Sequence, residues 1–328
     1  MINRRNVVIA LGAGGLAPRV SIAQQTPDKI FRIGYCGPSS TVAPGLLDAF
    51  RDGLRERGYI EGKNLAIEYR YTDGGGNVLL QTQAAALVAR QVAVIAVSVA
   101  NVAVFARKAT ETIPIVMMNG DDPVENGLAA SLGRPGGNVT GVVRLSSELI
   151  PKNLELLSEI VPGAKRMALL VDPDSPVTRI GLPHDRRAAQ VLGVELGVVE
   201  ARSAEEIDLA FATLTKQRPG ALVVTGSGRF FILRAKLAAL ALKMRLPSVF
   251  AFTEQVEAGG LAAYSASSVE NYRHAATFVD RILRGAKPAD LPIEQPTKFE
   301  LAVNMKTARA LGVKIPQSVL VRVTRVIE

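Results

Sequence analysis

Residues able to do chemistry are few in this chain, and their spacing decides what chemistry is open. There are two histidines, His184 and His274, and one cysteine, Cys36. A Ser-His triad would need one of those histidines. His274 lies among Tyr272, Arg273 and Ala275 in a stretch of helical periodicity, and His184 follows Pro183 in a polar stretch, so both read as surface residues. One cysteine excludes an internal disulfide and a Cys-rich metal site. Paired carboxylates occur as Asp121-Asp122 and as Asp172 with Asp174. Such pairs suit general acid–base work or Mg²⁺ ligation. Asp beside Pro also forms turns and caps helices, and that reading is preferred for both pairs. Gly226-Ser227-Gly228 lacks the flanking spacing of a nucleophile elbow, and no P-loop or zincin motif is present. The glycine run at 12–15 follows no strand of adequate length, which excludes a dinucleotide loop. The expectation is a binding protein rather than an enzyme, with no cofactor and no metal.

The elements that must position these residues alternate between strand and helix. Apolar residues make up 48% and charged residues 21% of 328, a globular balance with length enough for two domains. Strands are expected at 30–36, 65–71, 92–99, 115–118 and 139–143. Between them fall helices marked by Leu46, Phe50 and Leu54, by 78–90 and by 101–110, with a short helix after Pro123. The rhythm restarts with a helix lined by Leu154, Leu157 and Val161. Strands follow at 167–171, 194–199, 221–225, 248–251 and 261–264. Ser203 and Glu206 form a capping box, and a helix is expected at 231–243. A helix closed by Gly285, a strand at 298–303, a helix at 305–311 and an extended tail complete the chain. Two βα series of similar size imply α/β lobes with parallel sheets. Ser39-Ser40, Ser98 with Asn101, residues 119–122, Asp172, Gly226-Ser227 and residues 252–254 all follow carboxyl ends of strands, where such sheets bind ligands.

The first 23 residues carry Arg4, Arg5 and Arg19 and no acid. Arg4-Arg5, the apolar run 7–17 and the small residues Ser21 and Ala23 follow the order of an export signal, of the Sec or twin-arginine type, with Gln24 beginning the mature chain. The apolar run is too short to span a membrane. Cleavage removes three of the +9 formal charges and leaves +6. The remaining bases are interspersed with acids, and Trp is absent, so a nucleic-acid partner is not expected.

Four segments carry a family resemblance: FRDGLRERGYIEGKNLAIEYR at 50–70, IPIVMMNGDDPVENGLAASLGRPGGNVTGV at 113–142, QVEAGGLAAYS at 255–265, and RGAKPADLPIEQPTKFELAVNMKTARALGVKIPQSVL at 284–320. Through them the chain resembles the ABC-transporter substrate-binding proteins of the aromatic amino-acid-binding-like group, over nearly all of its mature length. The resemblance implies a type I periplasmic-binding fold, two Rossmann-like lobes joined by three crossovers with ligand between them. It implies a first lobe of 30–143 plus 265–297 and a second of 144–264 plus 298–328. The chain departs from its relatives at two strand ends. Gly226-Ser227-Gly228-Arg229 stands where they usually carry Asp-Pro, and Ser98-Val99-Ala100-Asn101 where they read like Gly-Thr-Pro-Ala.

On that fold the expected ligand residues are Ser40, Ser98, Asn101 and Asp122 in the first lobe, and Asp172, Ser227, Phe252 and Tyr264 in the second. Asp172 is placed to pair with a ligand amine, and Phe252 or Tyr264 to stack on an apolar portion. Each has a local alternative: Asp172 as a helix cap, Asn101 as a turn former, Tyr264 as packing. The expected function is a monomeric periplasmic receptor that delivers a small organic ligand, with amino-acid-like compounds in scope, to an ABC permease and its ATPase. A periplasmic ligand-sensing subunit of a signalling receptor is the alternative. A Rossmann-type enzyme is the weakest reading, since no motif supports it.

Overall fold

The computed structural model describes residues 30–37, 44–71, 76–98 and 100–328. The segment read as an export signal, and Ser40, lie outside the described residues. The first series runs β1 (Phe31–Gly37), α1 (Pro44–Arg55), β2 (Leu65–Tyr71), α2 (Gly76–Ala89), β3 (Val94–Val97), α3 (Ala100–Ala109), β4 (Ile115–Gly120), β5 (Val139–Val143). The second runs α4 (Ser146–Ile160), β6 (Arg166–Val171), α5 (Pro176–Val191), β7 (Glu195–Glu200), α6 (Ala204–Gln217), β8 (Ala221–Val224), α7 (Gly228–Ile232), α8 (Arg234–Lys243), β9 (Ser248–Phe250), α9 (Thr253–Glu257), β10 (Ala262–Ala266). Then come α10 (Ser268–Leu283), β11 (Phe299–Asn304), α11 (Met305–Leu311), α12 (Gln317–Leu320) and β12 (Arg325–Ile327).

Alternation on β3 shows how the first lobe is layered. Val94 and Ala96 join one apolar cluster, with α1 and α10, while Ile95 and Val97 join another, with α2 and α3. Both faces are therefore covered, as a parallel sheet requires. Its strand order is β2-β1-β3-β4-β5, all parallel. Gly141 in β5 has φ +125°, and a Cβ there would sit 2.2 Å from the Met117 carbonyl oxygen, so only glycine lets β5 approach β4.

The second sheet has the order β12-β11-β10-β9-β8-β6-β7. Met167, Leu169 and Val171 face α4 residues Leu154 and Leu157, and Ala168 and Leu170 face Ile207, Phe211 and Leu237. One pairing departs from the parallel expectation: β11 is antiparallel to β10. The chain has by then left for the first lobe through α10, and it returns to run back along β10.

That excursion gives α10 its place. Tyr272, Ala275, Phe278 and Val279 fill the α1 side of the first sheet. A fully buried apolar side chain of this size contributes ~1.5–3 kcal/mol. Gly53 lets the two helices touch, because a Cβ there would meet Arg273 O at 2.5 Å. Tyr59 donates to Asp280 at 3.0 Å and Arg57 to Thr277 at 2.6 Å, which fixes the rotation of α10 against α1.

The chain passes between the sheets three times. Arg144 and Leu145 link β5 to α4, Ser267 links β10 to α10, and residues 292–298 lead into β11. The last passage is tied to β5, with Glu294 N donating to Gly141 O at 2.9 Å and Val143 N to Glu294 O at 3.0 Å.

Local expectations are corrected at four places. No helix follows Pro123: Asn126 Nδ2 donates to the carbonyls of Asp121 and Asp122, each at 3.0 Å, and holds the segment as turns. The helix expected at 231–243 starts at Gly228 and breaks at Leu233. The extended tail contains α12 and β12. Glu206 N does receive the Ser203 Oγ cap at 3.1 Å, but the Glu206 carboxylate accepts from Arg202 N at 2.8 Å instead of the N-cap residue.

Candidate functional site

A small pocket lies where the strand ends of the two sheets meet. The first lobe supplies Leu46 from α1, Ser98 after β3, Asn119 at the end of β4, and Ser268 and Tyr272 from α10. The second supplies Ser227, Gly228 and Phe231 around α7 and Phe252 before α9. Arg144, from the passage between the lobes, completes the lining. Phe231 and Phe252 share an apolar cluster with Tyr35, Leu46 and Tyr272, so the lobes are closed on each other here.

Each side chain has a local reason for its place. Ser227 Oγ accepts from Phe230 N at 3.0 Å, which starts α7 and brings Phe231 to the pocket. Phe252 meets the Phe231 ring edge-on, with centroids 5.4 Å apart. Its other contact is the Arg144 guanidinium, 4.3 Å from the ring centroid, a cation–π arrangement. Arg144 Nη2 donates to Asp121 Oδ2 at 2.9 Å, and Asp121 Oδ1 accepts from Ser146 N at 3.0 Å. Asn119 Oδ1 accepts from Asn271 Nδ2 at 2.8 Å. The Ser98 hydroxyl lies beside the phenols of Tyr35 and Tyr272, yet its buried Oγ has no partner of hydrogen-bond geometry among the described residues.

Burial sets the electrostatics. The Tyr35 and Tyr272 hydroxyls are pushed well above the usual phenol value by desolvation. Burial also raises the Glu254 carboxyl, against backbone hydrogen bonding and the nearby Arg144 charge. Burial pushes the Cys36 thiol up to about 12, which leaves it an inert apolar group.

Three of the expected residues, Ser98, Ser227 and Phe252, are brought together in this pocket. Asn101 lines a separate groove, where α3 and Asn126 face Pro173, Asp174 and Ser175 of the second lobe. Asp172 is already engaged. Arg229 Nη1 lies 2.5 Å from its Oδ1, Asp174 N donates to the same oxygen at 3.1 Å, and burial lifts its pKa despite the Arg229 charge. Asp122 belongs to the hinge. Its two oxygens accept from Ser147 Oγ at 3.0 and 2.9 Å, and burial together with the Asp121 charge raises its pKa to about 6. Asp122 and Leu145 both take left-handed backbone conformations, with φ 45° and 60°, at the start of the passage.

Tyr264 lies elsewhere. Alternation along β10 sends it to the α4 side of the sheet, where it stacks on Phe299 in a groove with Lys152 and Arg322 that shares no residue with the cleft pocket. His184 is exposed on α5, and His274 contacts Glu294 at 2.6 Å while nearly half exposed. Among the described residues no group of three or more His, Cys, Asp or Glu is placed to hold a metal ion. No described helix is long and apolar enough to cross a membrane.

Sequence reasoning missed Arg144, Phe231, Ser268 and Tyr272, and it placed Asn119 at a ligand-facing strand end without naming it among the expected ligand residues. Arg144 had a signal: a lone charge directly after the wholly apolar end of β5. Tyr272 had none beyond the helical period of α10, since only the docking of that helix shows which face meets the cleft.

The sequence profile of the family described as ABC transporter substrate binding protein matches residues 44–327. The chain belongs to this family. Its curated relative, the tyrosine-binding protein of Clostridioides difficile strain R20291, is 26% identical over 285 residues, covering 85% of this chain and 81% of the relative. Among solved structures, a conserved domain protein from Vibrio cholerae O1 biovar eltor has TM-score 0.83 at 27% identity, covering 91% of this substrate-binding chain and all of the other. An ABC domain from Streptococcus pneumonia in complex with L-Trp has the same TM-score and coverage at 24% identity. The fold is that of the type I periplasmic binding proteins, two α/β lobes with largely parallel sheets. Members of this substrate-binding family are extracytoplasmic solute-binding proteins rather than enzymes.

Proposed function

We propose that this protein is an exported, periplasmic solute receptor of an ABC importer. It closes its two lobes on a small organic ligand with an aromatic body and hands that ligand to a membrane permease driven by a separate ATPase. The observation that carries this reading is the pocket between the lobes, with polar groups from both sides and the Phe231–Phe252 pair as its apolar wall. A ligand touching both lobes has differential affinity for the closed form, which is the condition for driving closure. The names of the relatives, one tyrosine-binding and one bound to L-Trp, support a ligand of aromatic amino-acid size.

Calorimetry and X-ray scattering with aromatic amino acids and the corresponding aromatic acids test this. A bound compound should make the protein more compact, and Phe252→Ala should weaken binding. Binding without compaction, or binding indifferent to Phe252, removes the two-lobe clamp. Loss of uptake of the bound compound on deletion of the gene tests delivery.

A further inference from the structure

We propose that the cleft pocket selects organic anions, carboxylates with an aromatic body, over zwitterionic amino acids, and that Arg144 is the residue that sets this preference. The inference rests on the cleft being the ligand site, and it names the class of ligand.

The lining among the described residues carries one cation, Arg144, and no carboxylate. The amide and carboxylate acceptors around it are already engaged. Asn119 Oδ1 takes Asn271 Nδ2. Asp121, which stands behind Arg144, has one oxygen on Arg144 and the other on Ser146 N. Asp172, the acid expected from sequence to pair with a ligand amine, is closed by Arg229. Among the described lining residues an incoming ammonium would find no carboxylate, and an ammonium buried without acceptors is costly.

Donors are in surplus instead. Arg144 has five N–H groups, and one recorded acceptor among the described residues, at Nη2. Its Nε is buried with no acceptor, in a residue 5% exposed. Ser98 adds a buried hydroxyl without a partner of hydrogen-bond geometry among the described residues. A buried donor left unmade is unfavourable, and an anion that receives it removes that cost. The cation–π contact with Phe252 holds the guanidinium flat against the aromatic wall, so charge recognition and stacking act on the same ligand. Burial pushes the neighbouring Glu254 carboxyl towards its neutral form, against the Arg144 charge. Gly226-Ser227-Gly228 puts no acid at the end of β8.

The test is calorimetric titration of the wild-type mature chain with two matched pairs: 3-(4-hydroxyphenyl)propionate against L-tyrosine, and indole-3-propionate against L-tryptophan. The acids should bind at least tenfold more tightly. Arg144→Lys, which keeps the charge beside Asp121 but loses the planar fork, should erase most of that preference. Amino acids that bind as tightly as the acids or more so, with binding lost in Phe252→Ala, overturn the anion preference and leave the cleft reading standing. No binding by any of the four overturns both. An acid preference unchanged in a folded Arg144→Lys protein overturns the role of Arg144. The wild-type ratio needs no variant to fold.

Discussion

Asp121 Oδ2 and Arg144 Nη2 lie 2.9 Å apart, both side chains almost fully buried, at the point where the chain leaves the first lobe for the second. Asp121 ends β4 and Arg144 follows β5, so the pair also fastens two neighbouring strand ends. The Arg144 backbone N donates to Gly120 O at 2.8 Å and reinforces that fastening. Removing one partner of such a pair costs ~3–5 kcal/mol, whereas replacing both by apolar groups is often neutral. Asp121→Ala should therefore lower the unfolding free energy by about that amount. The double variant Asp121→Leu with Arg144→Met should be clearly more stable than Asp121→Ala. Urea unfolding without ligand measures both.

Asp185 predicts a pH effect of defined sign. It is buried in α5, its Oδ1 has no partner among the described residues, and desolvation raises its pKa to about 7. Asp122 is raised to about 6. A raised folded-state pKa means that the folded protein holds the proton more tightly than the unfolded chain. Stability from these groups is fully present below about pH 4 and is lost as pH rises through about 6 and 7. Asp185→Asn should stabilise the protein at pH 8 and have little effect at pH 5. Thermal melts at both values decide it, and equal effects at the two would falsify the assignment.

Ser98→Ala separates binding from folding. The Ser98 hydroxyl has no partner of hydrogen-bond geometry among the described residues, so its loss should leave the ligand-free stability within ~0.5 kcal/mol. If the hydroxyl meets ligand, the same substitution should weaken binding roughly tenfold, the equivalent of one hydrogen bond to a charged group. Calorimetry and a melt on the same sample measure the two effects.

Gly141→Ala tests the close approach of β4 and β5. A Cβ there meets the Met117 backbone, and φ is +125°. Strain and overpacking together should cost about 2–5 kcal/mol. Gly285→Ala, also at positive φ but with open space around it, should cost less. Chemical unfolding of the two variants gives the comparison.

The alternating βα rhythm was legible because buried parallel strands such as β3 and β8 are short apolar runs, and helices such as α10 keep a 3.6-residue period. That Ser98, Ser227 and Phe252 would gather at one inter-lobe pocket was legible because each follows a strand end, a position fixed by local order alone. Tyr264 was misplaced because a strand sends neighbouring side chains to opposite faces, and only the observed pairing shows which face is which. Asp172 was visible as a strand-end acid, but its partner Arg229 comes from another strand end and is far off in sequence. Arg144 and Tyr272 depend on how three chain passages and a returning helix are arranged in space, which no local pattern carries.

The return of α10 has a consequence for the order in which the molecule can be assembled. The first sheet is complete once residue 143 has been made, but the face that Phe278, Val279 and Ile282 cover stays bare until α10 has emerged. The whole second series of strands is synthesised in between. A chain stopped before Ser268 would present Ile33, Val94, Ala96 and Val116 on an open apolar face, the kind of surface that aggregates or recruits chaperones. The amino-terminal lobe thus acquires a closed core only after five strands of the second sheet, β6 to β10, have been made.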